Sequence, residues 1–173
     1  MKFTAVLGTV AIAVVLQFGL ARYAIGGRWL CDVVLVGVVY AALNWGPVAG
    51  MLAGTLGGLI QDVLSDDVVG TGGLIKTLIG FAAGFVGAQF VVARPTARVA
   101  IVASASLLHR LLLIALHGVI DQHWPAIPWP AIVGETFLNS IFGLIAFQAG
   151  EALPAMRSRN RQSRRPGITR REW

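Results

Sequence analysis

The chain has 173 residues, 56% of them hydrophobic and 13% charged, with a mean hydropathy of +0.74, a balance that excludes an ordinary water-soluble domain and points to a polytopic membrane protein. The formal charge of +6 suggests a nucleic-acid partner, but seven of the fourteen basic residues are arginines in the last seventeen positions, so the basicity belongs to a tail and nucleic-acid binding is not expected. A single cysteine, Cys31, excludes an intramolecular disulfide framework and reads as packing.

Runs of about 20 apolar residues, enough to cover roughly 30 Å of hydrocarbon, predict six spans in a six-helix, all-α transmembrane bundle. The first is 3–21; equally apolar segments follow it as far as residue 152, so it reads as a retained span rather than a signal peptide. Arg22 to Arg28 link it to the second, 29–45, whose apolar centre from Val33 to Leu43 is short, with Asp32 at its mouth and tryptophans at both ends. A re-entrant second segment would lower the count to five.

The third span, 47–64, opens on Pro47, which suits a first helical turn. It carries the ladder Gly46, Gly50, Gly54, Gly58, four apart and running into Asp62. Residues that far apart share a helix edge, and small residues let membrane helices approach closely. Ser65-Asp66-Asp67 is the turn. The fourth span, 69–92, carries Gly73, Thr77, Gly80, Gly84 and Gly87, a stripe complementary to the ladder, so the third and fourth helices are expected to pack through glycine or to offer that surface to a partner.

Arg94-Pro95 ends the fourth span and the fifth is 96–116. Gln122 to Pro130, with three prolines and two tryptophans, predicts a stiff surface loop. The sixth span, 132–153, stops at Pro154. Residues 1–155 thus form one transmembrane domain and 156–173 a disordered basic tail, whose Arg157, Arg159, Arg161, Arg164 and Arg165 suit contact with anionic lipid headgroups. Lys2, Arg94, Arg98 and the tail fall on one side, Arg22 and Arg28 with Asp66, Asp67 and Asp121 on the other. The positive-inside rule then makes both termini cytoplasmic.

Charges within spans are costly and each asks for a partner. Asp62 with Lys76, and Arg110 with Glu135, reach similar depths in their hairpins and are expected to pair, giving a zero sum. Two structural ion pairs that fix hairpin register are the plain reading. A site for a small polar ligand or ion, with Asn139 and Gln61 nearby, is the sharper one; a surface for a partner's transmembrane helix is the third. His117, Asp121 and His123 lack any fixed metal-ligand spacing. Ser104, Ser106 and His109 share one helix without a GxSxG motif. No Walker motif, dinucleotide fingerprint or CxxC pair is present, so no metal, cofactor or enzymatic activity is expected.

Residues Cys31 to Phe85, with Asp32 before an apolar span, then GPVAGMLAG, LIQDVLS and GLIKTLIGFAAG, resemble the rod shape-determining membrane protein family MreD. The resemblance covers mainly the second to fourth spans. Cys31 stands where the family often has a proline, and Ser65-Asp66-Asp67 replaces a glycine-rich turn. What the resemblance implies is a non-enzymatic scaffold of the bacterial cell-elongation machinery in the inner membrane. Its partners would be MreC, RodA with its penicillin-binding transpeptidase, and indirectly MreB. The implied fold is similar to the substrate-binding subunits of energy-coupling-factor transporters. A small-molecule (vitamin-type) binding subunit is the alternative on that fold.

Overall fold

A computed structural model describes the backbone of residues 2–20, 31–65, 68–90, 94–120, 122 and 126–162, and side chains no further than residue 152. The described residues form six helices: α1 (Lys2–Leu20), α2 (Val33–Trp45), α3 (Pro47–Leu64), α4 (Thr71–Gln89), α5 (Pro95–Ile120) and α6 (Trp129–Gln162). All but α2 contain a stretch long and apolar enough to cross a membrane, the build of a multi-pass membrane protein.

The expectation of six crossings is corrected at α2. That helix has 13 residues, about 20 Å at 1.5 Å per residue, where a bilayer core needs roughly 30 Å. Its start is set by Asp32, whose carboxylate accepts from the Leu35 amide at 2.9 Å, a side-chain N-cap that begins the helix at Val33 rather than at residue 29. What α2 lacks in length it gains in enclosure: Val33 through Val39, Ala41 and Ala42 are all buried. It touches each of the other five helices and forms the axis of the bundle.

The surrounding helices present one stripe inward. On α1 the buried residues are Val6, Val10, Ala13 and Gln17, while Phe3, Leu7, Ile12, Val15 and Leu16 are exposed, an apolar outer face that suits hydrocarbon rather than water. On α6 the stripe is Ile132, Glu135, Asn139, Gly143 and Phe147. Both stripes step by three and four, the period of a helix face.

The tightest seam joins α3 and α4. A methyl group on Gly50 would run into the Gly80 carbonyl, on Gly54 into the Lys76 carbonyl, on Gly58 into the Gly73 backbone, and on Gly84 into the backbone of Pro47. Backbone approach of this kind is open only to glycine. The Thr55 and Thr77 hydroxyls meet at 2.8 Å within the seam. The ladder therefore faces its own bundle. Two of its expected members sit elsewhere. Gly46, at φ +96, has open space around its α-carbon and makes the turn between α2 and α3, while Gly87 packs on Leu43 of α2.

The C-terminal boundary also changes. The backbone of α6 stays helical through Pro154 to Gln162, so residues 156–162 are not the disordered start of a tail. A proline removes one helical hydrogen bond and kinks the chain, and here strong helix formers, Glu151-Ala152-Leu153 and Ala155-Met156-Arg157, flank it. At the other end of α6, Trp129 and Pro130 belong to the first helical turn, where proline is tolerated, rather than to the preceding loop. The tail from residue 163 with Arg164 and Arg165, the side chains of Arg157, Arg159 and Arg161, the Arg22–Arg28 link, Asp66, Asp67, Asp121 and His123 lie outside the described residues.

Candidate functional site

Around the start of α2 the bundle encloses a polar network with a member from every helix except α3. Gln17 on α1 accepts from the Val33 amide at 2.6 Å and donates to the Cys31 carbonyl at 3.0 Å. Asn139 on α6 accepts from the Asp32 amide at 2.7 Å and donates to the Ser106 hydroxyl of α5 at 2.7 Å. These bonds serve backbone groups that α2 leaves without helical partners at its first turn. Gln17, Asn139 and Ser106 are each 1% exposed or less, so no water competes for them.

The charged centre is Asp32. Its Oδ2 lies 2.9 Å from Lys76 Nζ, and both side chains are more than nine-tenths enclosed. The same Nζ lies 3.1 Å from His109 Nε2 on α5. An ammonium has three donors and no acceptor, so Nε2 is the accepting nitrogen and the imidazole proton sits on Nδ1. Nδ1 stands 3.9 Å from Asp32 Oδ2, beyond hydrogen-bond reach, and has no partner.

The expected pairing of Lys76 with Asp62 is thus corrected: Lys76 turns to Asp32. Asp62, 4% exposed, accepts through Oδ2 from the amides of Gly70 at 2.9 Å and Gly73 at 3.1 Å. The helix α4 starts after Gly70, which supplies no side-chain cap, and a carboxylate from the end of α3 performs that role. The helix N-terminus carries about half a positive charge, which meets the carboxylate without a cation. Arg110 Nε and Glu135 Oε2 lie 3.1 Å apart, with the arginine side chain 22% and the glutamate 9% exposed.

The zero sum over Asp62, Lys76, Arg110 and Glu135 is therefore not how the bundle balances its charge. Asp32 joins the enclosed set, and the dipole of α4 offsets the fifth charge. Asp32 was placed by sequence at a span's mouth and Gln17 read as an interruption of the first span. The signal that was present is the aspartate three positions before Leu35 at the edge of an apolar run, an N-cap pattern.

As to chemistry, among the described residues no group of three or more His, Cys, Asp or Glu could hold a metal ion. The Lys76 ammonium lies between Asp32 and His109, where a cation would otherwise sit. His117 Nδ1 lies 2.9 Å from the Leu113 carbonyl one turn back; its expected neighbours Asp121 and His123 fall outside the described residues. Ser106 bonds Asn139, and His109 lies against Lys76. What the arrangement does is lock five helices to one short central one. No protein-family profile, curated protein or solved structure matches this chain.

Proposed function

We propose that the chain is a non-enzymatic scaffold of the MreD type. It would work in the bacterial inner membrane with both termini cytoplasmic, binding MreC and supporting RodA and its transpeptidase in lateral peptidoglycan synthesis. The observation that carries this reading is the α3–α4 hairpin. The strings on which the resemblance rests, GPVAGMLAG, LIQDVLS and GLIKTLIGFAAG, are the ones that build the glycine seam, place Asp62 on the α4 amides and send Lys76 to Asp32. Charges committed to holding helices in register suit a rigid body against which other membrane proteins assemble. In this reading the bundle is of the energy-coupling-factor binding-subunit kind, and the arginine tail rests on anionic headgroups.

A second reading, a small-molecule binding subunit, draws on one observation: the unpartnered Nδ1 of buried His109 beside Asp32. Affinity purification of the detergent-solubilised protein from its native membrane, read by protein and small-molecule mass spectrometry, separates the two. Recovery of MreC supports the scaffold. A stoichiometric small molecule without MreC would replace it with the transporter reading.

A further inference from the structure

Between α4 and α5, away from the polar network, lies an open apolar groove of about 340 Å³, with Ile79, Ala83, Val86, Ile101, Ser104 and Leu108 among its lining residues. Its floor is Ala83 and Ala105, both buried, and its small side chains are what hold the two helices apart from full contact. The groove belongs to neither the glycine seam nor the Asp32 network, and the scaffold reading makes no use of it.

Size and charge say what fits there. At about 30 Å³ per water-sized group, 340 Å³ accommodates roughly eleven methylenes, the greater part of one acyl chain. A helix with its side chains is about 10–12 Å across, so along the roughly 10 Å of α4 from Ile79 to Val86 it would need roughly 800 Å³ or more. One hydrocarbon chain matches the space and a transmembrane helix does not.

The headgroup is specified at the end of the groove nearest the start of α5. The Arg94 carbonyl accepts from the amides of Ala97 and Arg98 at 3.1 and 3.3 Å, so Arg94 already lies on the α5 cylinder. It precedes the groove residues Ile101 and Leu108 by seven and fourteen positions, whole pairs of turns that keep it on the same face. Arg94 is exposed. Arg98, by contrast, is engaged towards α6, on the Glu151 carboxylate and over the Phe147 ring. We infer that the α4–α5 groove is a binding site for one chain of an anionic phospholipid whose phosphate is held by Arg94.

The test is native mass spectrometry of the full-length protein released from bilayers containing equal amounts of phosphatidylglycerol and phosphatidylethanolamine with identical chains. The expected result is retention of phosphatidylglycerol at least five-fold above phosphatidylethanolamine. Ser104→Phe, which fills the groove from an exposed position, should lower retention of lipid several-fold, and Arg94→Glu should remove the phosphatidylglycerol excess down to the Ser104→Phe level. Ala100→Phe fills the same groove and serves if Ser104→Phe does not fold, judged by circular dichroism. The arginine tail is intact in every variant, so any retention it confers is a constant baseline. Equal retention of the two lipids, retention untouched by the groove-filling changes, or cross-linking of a polypeptide to Ser104→Cys in native membranes would each overturn the inference, the last by assigning the groove to a helix.

Discussion

Lys76 on the second turn of α4 and Asp32 at the N-cap of α2 form an ion pair of 2.9 Å with both side chains enclosed, and this contact ties the glycine hairpin to the central helix. Removing one member of a buried pair leaves the other charge without compensation, a loss of about 3–5 kcal/mol, whereas removing both is far milder. Lys76→Met should therefore destabilise the folded protein by about 3 kcal/mol or more. Asp32→Asn, which keeps an acceptor for the Leu35 amide, combined with Lys76→Met should lose clearly less than the two single changes together. Unfolding in mixed detergent micelles measures all three. Strict additivity would mean that the two groups do not interact.

Asp62 belongs to a different network and should behave accordingly. Asp62→Ala strips the Gly70 and Gly73 amides of their acceptor and should destabilise by about 1–2 kcal/mol, the range of a lost N-cap. Asp62→Asn, which retains a carbonyl oxygen, should lose less. The combination of Asp62→Asn with Lys76→Gln should be additive within about 0.5 kcal/mol, as for sites without shared partners. A double variant milder than either single one would restore the direct Asp62–Lys76 pair and contradict the structure.

Much of the hairpin could be read from sequence because its signals are local. A ladder stepping by four marks one edge of α3, a stripe stepping by three and four marks one edge of α4, and a short turn leaves the two edges no other neighbour. The proximity of Arg110 and Glu135 is of the same kind, since consecutive helices joined by a short loop share a depth. The Asp32 network could not be read that way. Gln17, Asp32, Lys76, His109 and Asn139 come from five segments, and their meeting depends on α2 being short enough to start inside the bundle. No periodicity within α2 says so, because its apolar residues cover all faces. Local polarity made Asp32 look interfacial, and tertiary enclosure decided otherwise.

The glycines divide into those that meet backbone and those that meet nothing, and substitution should follow that division. Gly54→Ala and Gly80→Ala place a methyl against a facing main chain, which cannot move aside as a side chain can. Each should lose at least about 2 kcal/mol, within the range of overpacked cores. Gly8 and Gly134 have open space around the α-carbon, and their alanine variants should stay within about 0.5 kcal/mol of the parent. Thr55→Val removes a hydroxyl contact across the seam and should lose about 0.6 kcal/mol, the average for such bonds in membranes. Thermal midpoints by intrinsic fluorescence rank the five variants. Equal tolerance at Gly54 and Gly134 would dissolve the seam.

Asn139 offers a graded test of the network from the α6 side, because its two ends do different work. Its carbonyl serves the Asp32 amide and its NH₂ serves Ser106. Ser106→Ala removes only one acceptor and leaves the hold on α2 intact, so it should be the mildest change, at about 1 kcal/mol. Asn139→Leu keeps the volume but strands a buried amide as well as the hydroxyl, and each stranded group loses about 1–3 kcal/mol. Asn139→Asp keeps the acceptor for the Asp32 amide, and the Ser106 hydroxyl can rotate to donate. It nevertheless brings a second carboxylate beside Asp32 in a site without water, where like charges repel strongly. At neutral pH the order of loss should be Ser106→Ala, then Asn139→Leu, then Asn139→Asp, with the aspartate variant recovering as acid protonates the added carboxyl. An aspartate variant no less stable than the leucine one at neutral pH would show that Asp32 is not the charged centre to which α6 is fastened.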